Sequence, residues 1–176
     1  MMDEKNIILE NILNRKSVRE YTDKEINRKI LEDIVRAGMS APSALNLQPW
    51  HFIVFDDKNT LVDMADVHEY SGMFKDAAAG ILVCGDMNKT VDKFKELWVQ
   101  DCSAATENIL LACEAFSIGA VWLGIYPIPE RCDKLSKYFK LPENIVPFAL
   151  VSMGYPSSNG NAKDKWDESK IHWDNW

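Results

Sequence analysis

Three cations and a hydroxyl fall within five residues at Arg15, Lys16, Ser17 and Arg19, in a chain whose formal charge is −7. Guanidinium and ammonium groups hold phosphate through charge-assisted hydrogen bonds, so the segment is a candidate anion site. The same residues would also complement the C-terminal dipole of a preceding helix, and that alternative stays open. Lys163 and Lys165, far along the chain, would either complete an anion site or stay solvated. The loop Ala41-Pro42-Ser43-Ala44-Leu45-Asn46-Leu47-Gln48-Pro49 is a second constellation. A flat heteroaromatic ring needs close backbone approach, which Ser43 and Ala44 permit, and polar partners, which Asn46 and Gln48 supply. A plain Pro-rich loop explains these residues equally well. In Trp122-Leu123-Gly124 a backbone N–H beside a glycine could reach a ligand atom, or Gly124 could serve packing alone.

Other chemistries lack their residues. There is no G-x-G-x-x-G and no G-x-x-x-x-G-K among eight scattered glycines, so phosphate would have to be held by side chains. His51, His68 and His172 share no metal-ligand spacing, and none joins a nucleophile motif with Ser or Cys. Cys84, Cys102, Cys113 and Cys132 form no C-x-x-C pair and read as reduced, packed thiols.

These residues need elements to position them. Ile7, Ile8, Leu9, Ile12 and Leu13 lie on one side of a short helix leading into the basic segment. Thr22 and Glu25 suggest a capping box opening a second helix, whose Ile26, Ile30, Leu31, Ile34 and Val35 repeat with helical period as far as Gly38 to Pro42. Strands are expected at Trp50 to Phe55, Ile81 to Cys84, Gly119 to Tyr126 and Ile145 to Met153, the last broken by Pro147 near its start. Asn59 to Asp76 reads as helical with an interruption at Ser71-Gly72, and Pro129 to Phe139 as an amphipathic helix. Between Trp98 and Ser117, Val99, Cys102, Thr106, Ile109, Cys113 and Phe116 step by threes and fours, with Ala105, Ala112 and Ala115 opposite. A helix small or apolar nearly all round is covered on more than one side, as a central helix meeting its copy in a dimer or as a monomer's core helix. After Gly154-Tyr155-Pro156 comes the linker-like Ser157-Ser158-Asn159-Gly160-Asn161, then Trp166, Trp173 and Trp176, too apolar for a frayed end. The tail is expected to dock.

With 176 residues, 47% hydrophobic and 27% charged, the chain fits one soluble globular domain. Its pI near 5.0 disfavours nucleic acid and acidic membrane surfaces as partners. The apolar stretch from Cys102 to Val121 carries Glu107, Asn108 and Glu114 and fails as a membrane span. Acids follow Met1-Met2, where a secretion signal would carry Lys or Arg, so a cytoplasmic location is expected.

Taken together, the segments resemble the nitroreductase family of FMN enzymes in its short, single-domain form. The resemblance rests on Arg15-Lys16-Ser17-Val18-Arg19-Glu20-Tyr21, Ala41 to Trp50, Gln100-Asp101-Cys102-Ser103-Ala104-Ala105-Thr106-Glu107-Asn108, Gly119-Ala120-Val121-Trp122-Leu123-Gly124-Ile125-Tyr126 and Gly154-Tyr155-Pro156. It implies an α+β three-layer sandwich with a mixed, largely antiparallel sheet and helices on both faces. It also implies a homodimer with FMN at the interface and a C-terminal extension exchanged between subunits, with residues 1–156 as core and 157–176 docking on the partner. Carried over by position, Arg15, Lys16 and Ser17 are similar to the FMN phosphate segment, Lys16 through its backbone. Arg19 resembles the cation beside the pyrimidine edge of the flavin, where it tunes reduction. Pro42, Ser43, Ala44 and Asn46 would come from the second subunit, Leu123 and Gly124 would offer backbone contacts near N5, and Lys163 and Lys165 would finish the phosphate site. Two departures stand out: Tyr70-Ser71-Gly72-Met73 replaces polar or basic residues of longer members, and lysines replace an arginine in the tail.

The resemblance implies an oxidoreductase that passes electrons from NADH or NADPH to a nitroaromatic, quinone or similar small acceptor by a ping-pong mechanism, with no side-chain nucleophile. The rivals are a dehalogenase or enone reductase on the same fold, and a dimeric interaction protein without turnover.

Overall fold

In a computed structural model, residues 4–91, 93–158 and 160–176 are described. Five helices and four strands follow in the order α1 (Glu4–Asn14), α2 (Arg28–Met39), β1 (Trp50–Phe55), α3 (Lys58–Met64), β2 (Ala79–Asp86), α4 (Leu97–Ala115), β3 (Gly119–Gly124), α5 (Pro129–Phe139) and β4 (Ile145–Gly154). The sheet order is β1-β2-β4-β3, and its three pairings are all antiparallel. The mixed character expected from the resemblance is confined to one isolated parallel bridge, Ser17 to Ala120.

Every residue of β2 is buried, as expected of a central strand covered on both faces. Ile81 and Val83 face a cluster with Ile34 of α2 and Cys102, Ala105 and Ile109 of α4. Leu82 and Cys84 face Leu61 and Met64 of α3 and Leu135 of α5. The period of two along β2 therefore feeds two cores, giving three layers. Each fully buried Ile or Leu contributes about 1.5–3 kcal/mol.

Three local expectations are corrected. The second helix is not opened by Thr22 and Glu25; Asn27 is the N-cap, its side chain accepting from the Lys29 N–H, and Thr22 to Glu25 lie exposed. Asn27 wins because an amide one residue before the helix satisfies an orphan N–H directly. The helix expected from Asn59 to Asp76 stops at Met64, and a separate 3-10 turn follows at Gly72–Asp76. There Ser71 Oγ donates to backbone carbonyls of Ala65 and His68 and accepts from the His68 N–H, replacing helical bonds with a side-chain turn. The strand expected to reach Tyr126 ends at Gly124. The tail is expected to dock on a partner subunit; within one protomer its residues Gly160 to Trp166 line a cleft with Ile12 to Lys16, and Trp166, Trp173 and Trp176 are exposed.

The apolar side of α1 is also uncovered in the protomer, with Ile7, Ile8, Leu9 and Leu13 exposed. The helix is tied to α4 by Asn11 Nδ2, which donates to the Leu111 carbonyl at 3.0 Å.

Candidate functional site

The basic segment is stitched to the rim of the sheet. The Val18 N–H donates to the Ala120 carbonyl at 3.0 Å, and the Tyr21 hydroxyl donates to the Val18 carbonyl at 2.8 Å. Burial pushes the Tyr21 phenol well above its ordinary value, so it remains a donor at neutral pH. Gly119 allows this approach: a Cβ there would sit 2.6 Å from Val18 Cγ1. The segment is thus held to the sheet through its backbone rather than through its cations.

Arg15 follows directly on α1 and is mostly buried, its side chain 19% exposed, with Nε 3.3 Å from Glu107 Oε1 on α4. Arg15 and Lys16 line an open cleft of about 900 Å³ whose opposite wall is the tail, including Lys163, Lys165 and Trp166. Four cations meet two carboxylates in that lining, Glu114 and Asp164, so the cleft is net cationic in an acidic chain. The last turn of α1 carries no basic residue; the first cation, Arg15, follows it directly, its N–H donating to the Asn11 carbonyl at 3.2 Å. Ser17 and Arg19 are exposed and do not line the cleft.

The loop before β1 is held in an uncommon shape. Ser43 is extended, Ala44–Asn46 form a single 3-10 turn, and Leu45, Asn46 and Gln48 have φ of 51°, 55° and 50°. Non-glycine residues in this region each cost about 1–2 kcal/mol, least for Asn. Three bonds offset that cost. The Ala44 N–H donates to Asp101 Oδ1 at 2.9 Å, the Gln48 N–H to Ser43 Oγ at 3.0 Å, and the Asp86 N–H to the Pro49 carbonyl at 2.7 Å. Pro42, Leu45 and Asn46 stand exposed, and Ser43 and Ala44 are half-buried.

At the end of β3, the Leu123 side chain is buried while Gly124 is exposed. A Cβ at Gly124 would meet nothing within 4 Å, so packing does not explain this glycine. Arg131 Nη1 donates to the Gly124 carbonyl at 2.8 Å, fixing the peptide that follows the strand. Nearby, burial and the hydrogen bond to Glu96 push the Tyr126 phenol up.

One protomer therefore brings together Arg15, Lys16, Lys163 and Lys165. It leaves the Pro42–Asn46 loop and the Leu123–Gly124 pair outside that cleft. Glu107, Asp101 and Trp166 went unnoticed as site residues in the sequence. The signal was present for the first two, since Asp101 and Glu107 flank the small-residue run that packs α4 on its neighbours. Among the described residues no three His, Cys, Asp or Glu side chains are grouped to hold a metal ion, and no helix is long and apolar enough to cross a membrane.

The profile of the nitroreductase family matches residues 12–69 and 65–155. A relative in Archaeoglobus fulgidus, provisionally named NADH dehydrogenase/NAD(P)H nitroreductase, is 44% identical over 171 residues, covering 96% of this chain and 98% of its own. A crystal structure of a similarly named protein from Bacteroides thetaiotaomicron superposes with a TM-score of 0.91 at 42% identity, covering 97% and 99% of the two chains. A provisionally named nitroreductase from Desulfovibrio desulfuricans, solved in complex with FMN, superposes with a TM-score of 0.81 at 29% identity, covering 96% and 97%. The matched profile spans the basic segment, the strained loop, α4 and β3 together, and the chain belongs to the nitroreductase family of oxidoreductases.

Proposed function

We propose that the chain is an FMN-dependent oxidoreductase that takes electrons from NADH or NADPH and delivers them to a small oxidised acceptor, such as a nitroaromatic or a quinone. The observation that carries this reading is the convergence of Arg15, Lys16, Lys163 and Lys165, from opposite ends of an acidic chain, on one cleft. The residues fit the group: cations suit a phosphate monoester, and the cleft volume lies in the range of cofactor pockets. Bound FMN would supply the two-electron redox chemistry itself.

The protein's part is to bind, orient and exclude water. Arg15 and the tail lysines hold the phosphate, with Glu107 fixing the plane of the Arg15 guanidinium. The backbone at Leu123–Gly124 would contact the ring, since Gly124 leaves room for close approach. Pro42, Ser43, Ala44 and Asn46 reach the site from a second copy, in a homodimer that buries the exposed apolar side of α1 and the tail tryptophans. Ser17, next in sequence to the cleft-lining Lys16, would add its hydroxyl to the phosphate. Arg19, exposed in one protomer, would supply positive charge beside the pyrimidine edge and favour the reduced state.

Anaerobic addition of NADPH or NADH to the flavin-loaded protein is expected to bleach the visible absorbance, and a nitroaromatic or quinone to restore it. Steady-state rates against both substrates should give the parallel double-reciprocal lines of ping-pong kinetics. Bleaching without reoxidation by either acceptor would reject the acceptor class; halogenated phenols and enones are the next to test. Absence of bleaching with both nicotinamides would reject the function.

A further inference from the structure

We infer that Asp101 is a positioning residue: from the middle of the protein it sets the shape of the loop that completes the cofactor site of the partner subunit. The inference deepens the FMN reading and rests on it.

Asp101 lies on α4 and is 8% exposed. Among the described residues its carboxylate has no cation within ion-pair distance and one hydrogen-bond donor, the Ala44 N–H at 2.9 Å, 57 residues away in sequence. A buried carboxylate without a countercharge is unfavourable for folding by itself, so its presence calls for something it holds in place. What it holds is the first N–H of the 3-10 turn Ala44–Asn46. The local cap is missing there, because Ser43, at the capping position, makes no side-chain bond to the turn. Ser43 Oγ instead accepts from the Gln48 N–H, closing the other end of the loop. Asp101 thus does from α4 what a capping side chain would do within the loop.

The rest of α4 acts in the same sense. Seven residues on, Asn108 Nδ2 donates to the Ala37 carbonyl at 3.0 Å, in the last turn of α2. Two anchors of the segment leading from α2 to β1 are therefore polar groups on one face of one helix, two turns apart. Directly after Ala44 the chain passes through three left-handed non-glycine residues, Leu45, Asn46 and Gln48, which a free loop would relax. The carboxylate keeps Ser43, Ala44 and Asn46 in that shape before any ligand arrives, so the ordering cost is not charged to binding.

The test uses the full-length protein and two substitutions at the ends of the bond. Asp101→Ala removes the acceptor. Ala44→Pro removes the donor while preserving the backbone, since Ser43 is already extended (φ −142°, ψ 154°) as a residue before proline must be, and Ala44 opens the turn. Asp101→Asn keeps an acceptor oxygen and serves as the conservative variant. FMN affinity is read by flavin fluorescence quenching, and loop order by amide hydrogen exchange of the 43–48 peptide in the flavin-free protein. Asp101→Ala is expected to weaken FMN roughly tenfold, the scale of one hydrogen bond to a charged group, and to speed exchange at 43–48. Asp101→Asn should stay within about threefold of the parent. The double variant Asp101→Ala/Ala44→Pro should be no weaker than the worse single variant, because both act through one bond.

A loss confined to thermal stability, with FMN affinity and exchange at 43–48 unchanged, would overturn the inference and leave the FMN reading intact. Additive losses in the double variant would also overturn it. Should Asp101→Ala fail to fold, the Ala44→Pro and Asp101→Asn pair decides the matter by the same two readouts. A parent protein that neither quenches nor retains FMN would defeat the reading on which the inference stands.

Discussion

Arg15→Ala perturbs the proposed phosphate site at its most buried cation. Two terms add. Losing a charge-assisted hydrogen bond from a largely enclosed guanidinium costs about 1.5–3 kcal/mol. Glu107, 3.3 Å from Arg15 Nε in the parent, is then left without its countercharge beside an incoming dianion. At roughly 7 Å and an effective dielectric of about 20, that repulsion is about 5 kcal/mol for a dianion, of which about a fifth survives salt and the half-exposed setting of Glu107. The sum, about 3 kcal/mol, weakens FMN on the order of 100-fold. Titration of flavin-free protein into FMN and into riboflavin, read by fluorescence quenching, isolates the phosphate. Riboflavin affinity should change by less than about threefold, and Arg15→Ala/Glu107→Gln should recover roughly fivefold of the FMN loss, from the repulsion term alone. An FMN loss below about threefold, or an equal loss for riboflavin, would refute the assignment of the cleft to phosphate.

Further outcomes are expected. Ile8→Asp places a charge on the uncovered side of α1 and should convert a homodimer into monomers at micromolar concentration, seen by sedimentation velocity; an unchanged mass would remove α1 from the interface. Gly119→Ala drives a methyl to within 2.6 Å of Val18 Cγ1 and 3.0 Å of Pro156 Cγ, costing about 1–3 kcal/mol and lowering Tm by about 3–10 °C in a thermal melt. Burial pushes the Cys84 and Cys113 thiols from 9.0 up to about 12 and raises Cys102 further. The folded state therefore favours the protonated thiols; their share of stability is full below pH 9 and is lost as pH rises from 9 toward 12. Thiol titration of the native protein at pH 8 should label Cys132, the half-buried one, at most, and all four only after unfolding.

Much of this fold was legible because burial imposes simple periods. The run Ile81 to Cys84 shows no alternation, which marked a strand covered on both faces, and the 3-4 stepping of Cys102, Thr106, Ile109 and Cys113 marked α4 to within two residues. The start of α2 was misread because Thr22 and Glu25 satisfy a capping pattern that Asn27 satisfies better. Asn59 to Asp76 was misread because Ser71 takes over backbone bonds that propensity assigns to a helix, a competition visible only in three dimensions. In the site, the cations were legible as residue types, since a cluster of positive charge is conspicuous in an acidic chain. Their convergence was not: it depends on a tail that folds back past residue 160 to meet Asn14–Lys16. Asp101 was invisible as a loop anchor because its partner is a backbone N–H, which has no residue type to read.

The proposed site is a flavin phosphate held by cations from both ends of the chain at the seam between two copies. One experiment meets it most directly: the absorbance spectrum of the freshly purified protein, recorded across the boundary during sedimentation velocity. A flavin spectrum with peaks near those of free FMN is expected, moving with a particle of twice the chain mass and carrying one flavin per chain. A colourless particle of single-chain mass that stays colourless after incubation with FMN would contradict it.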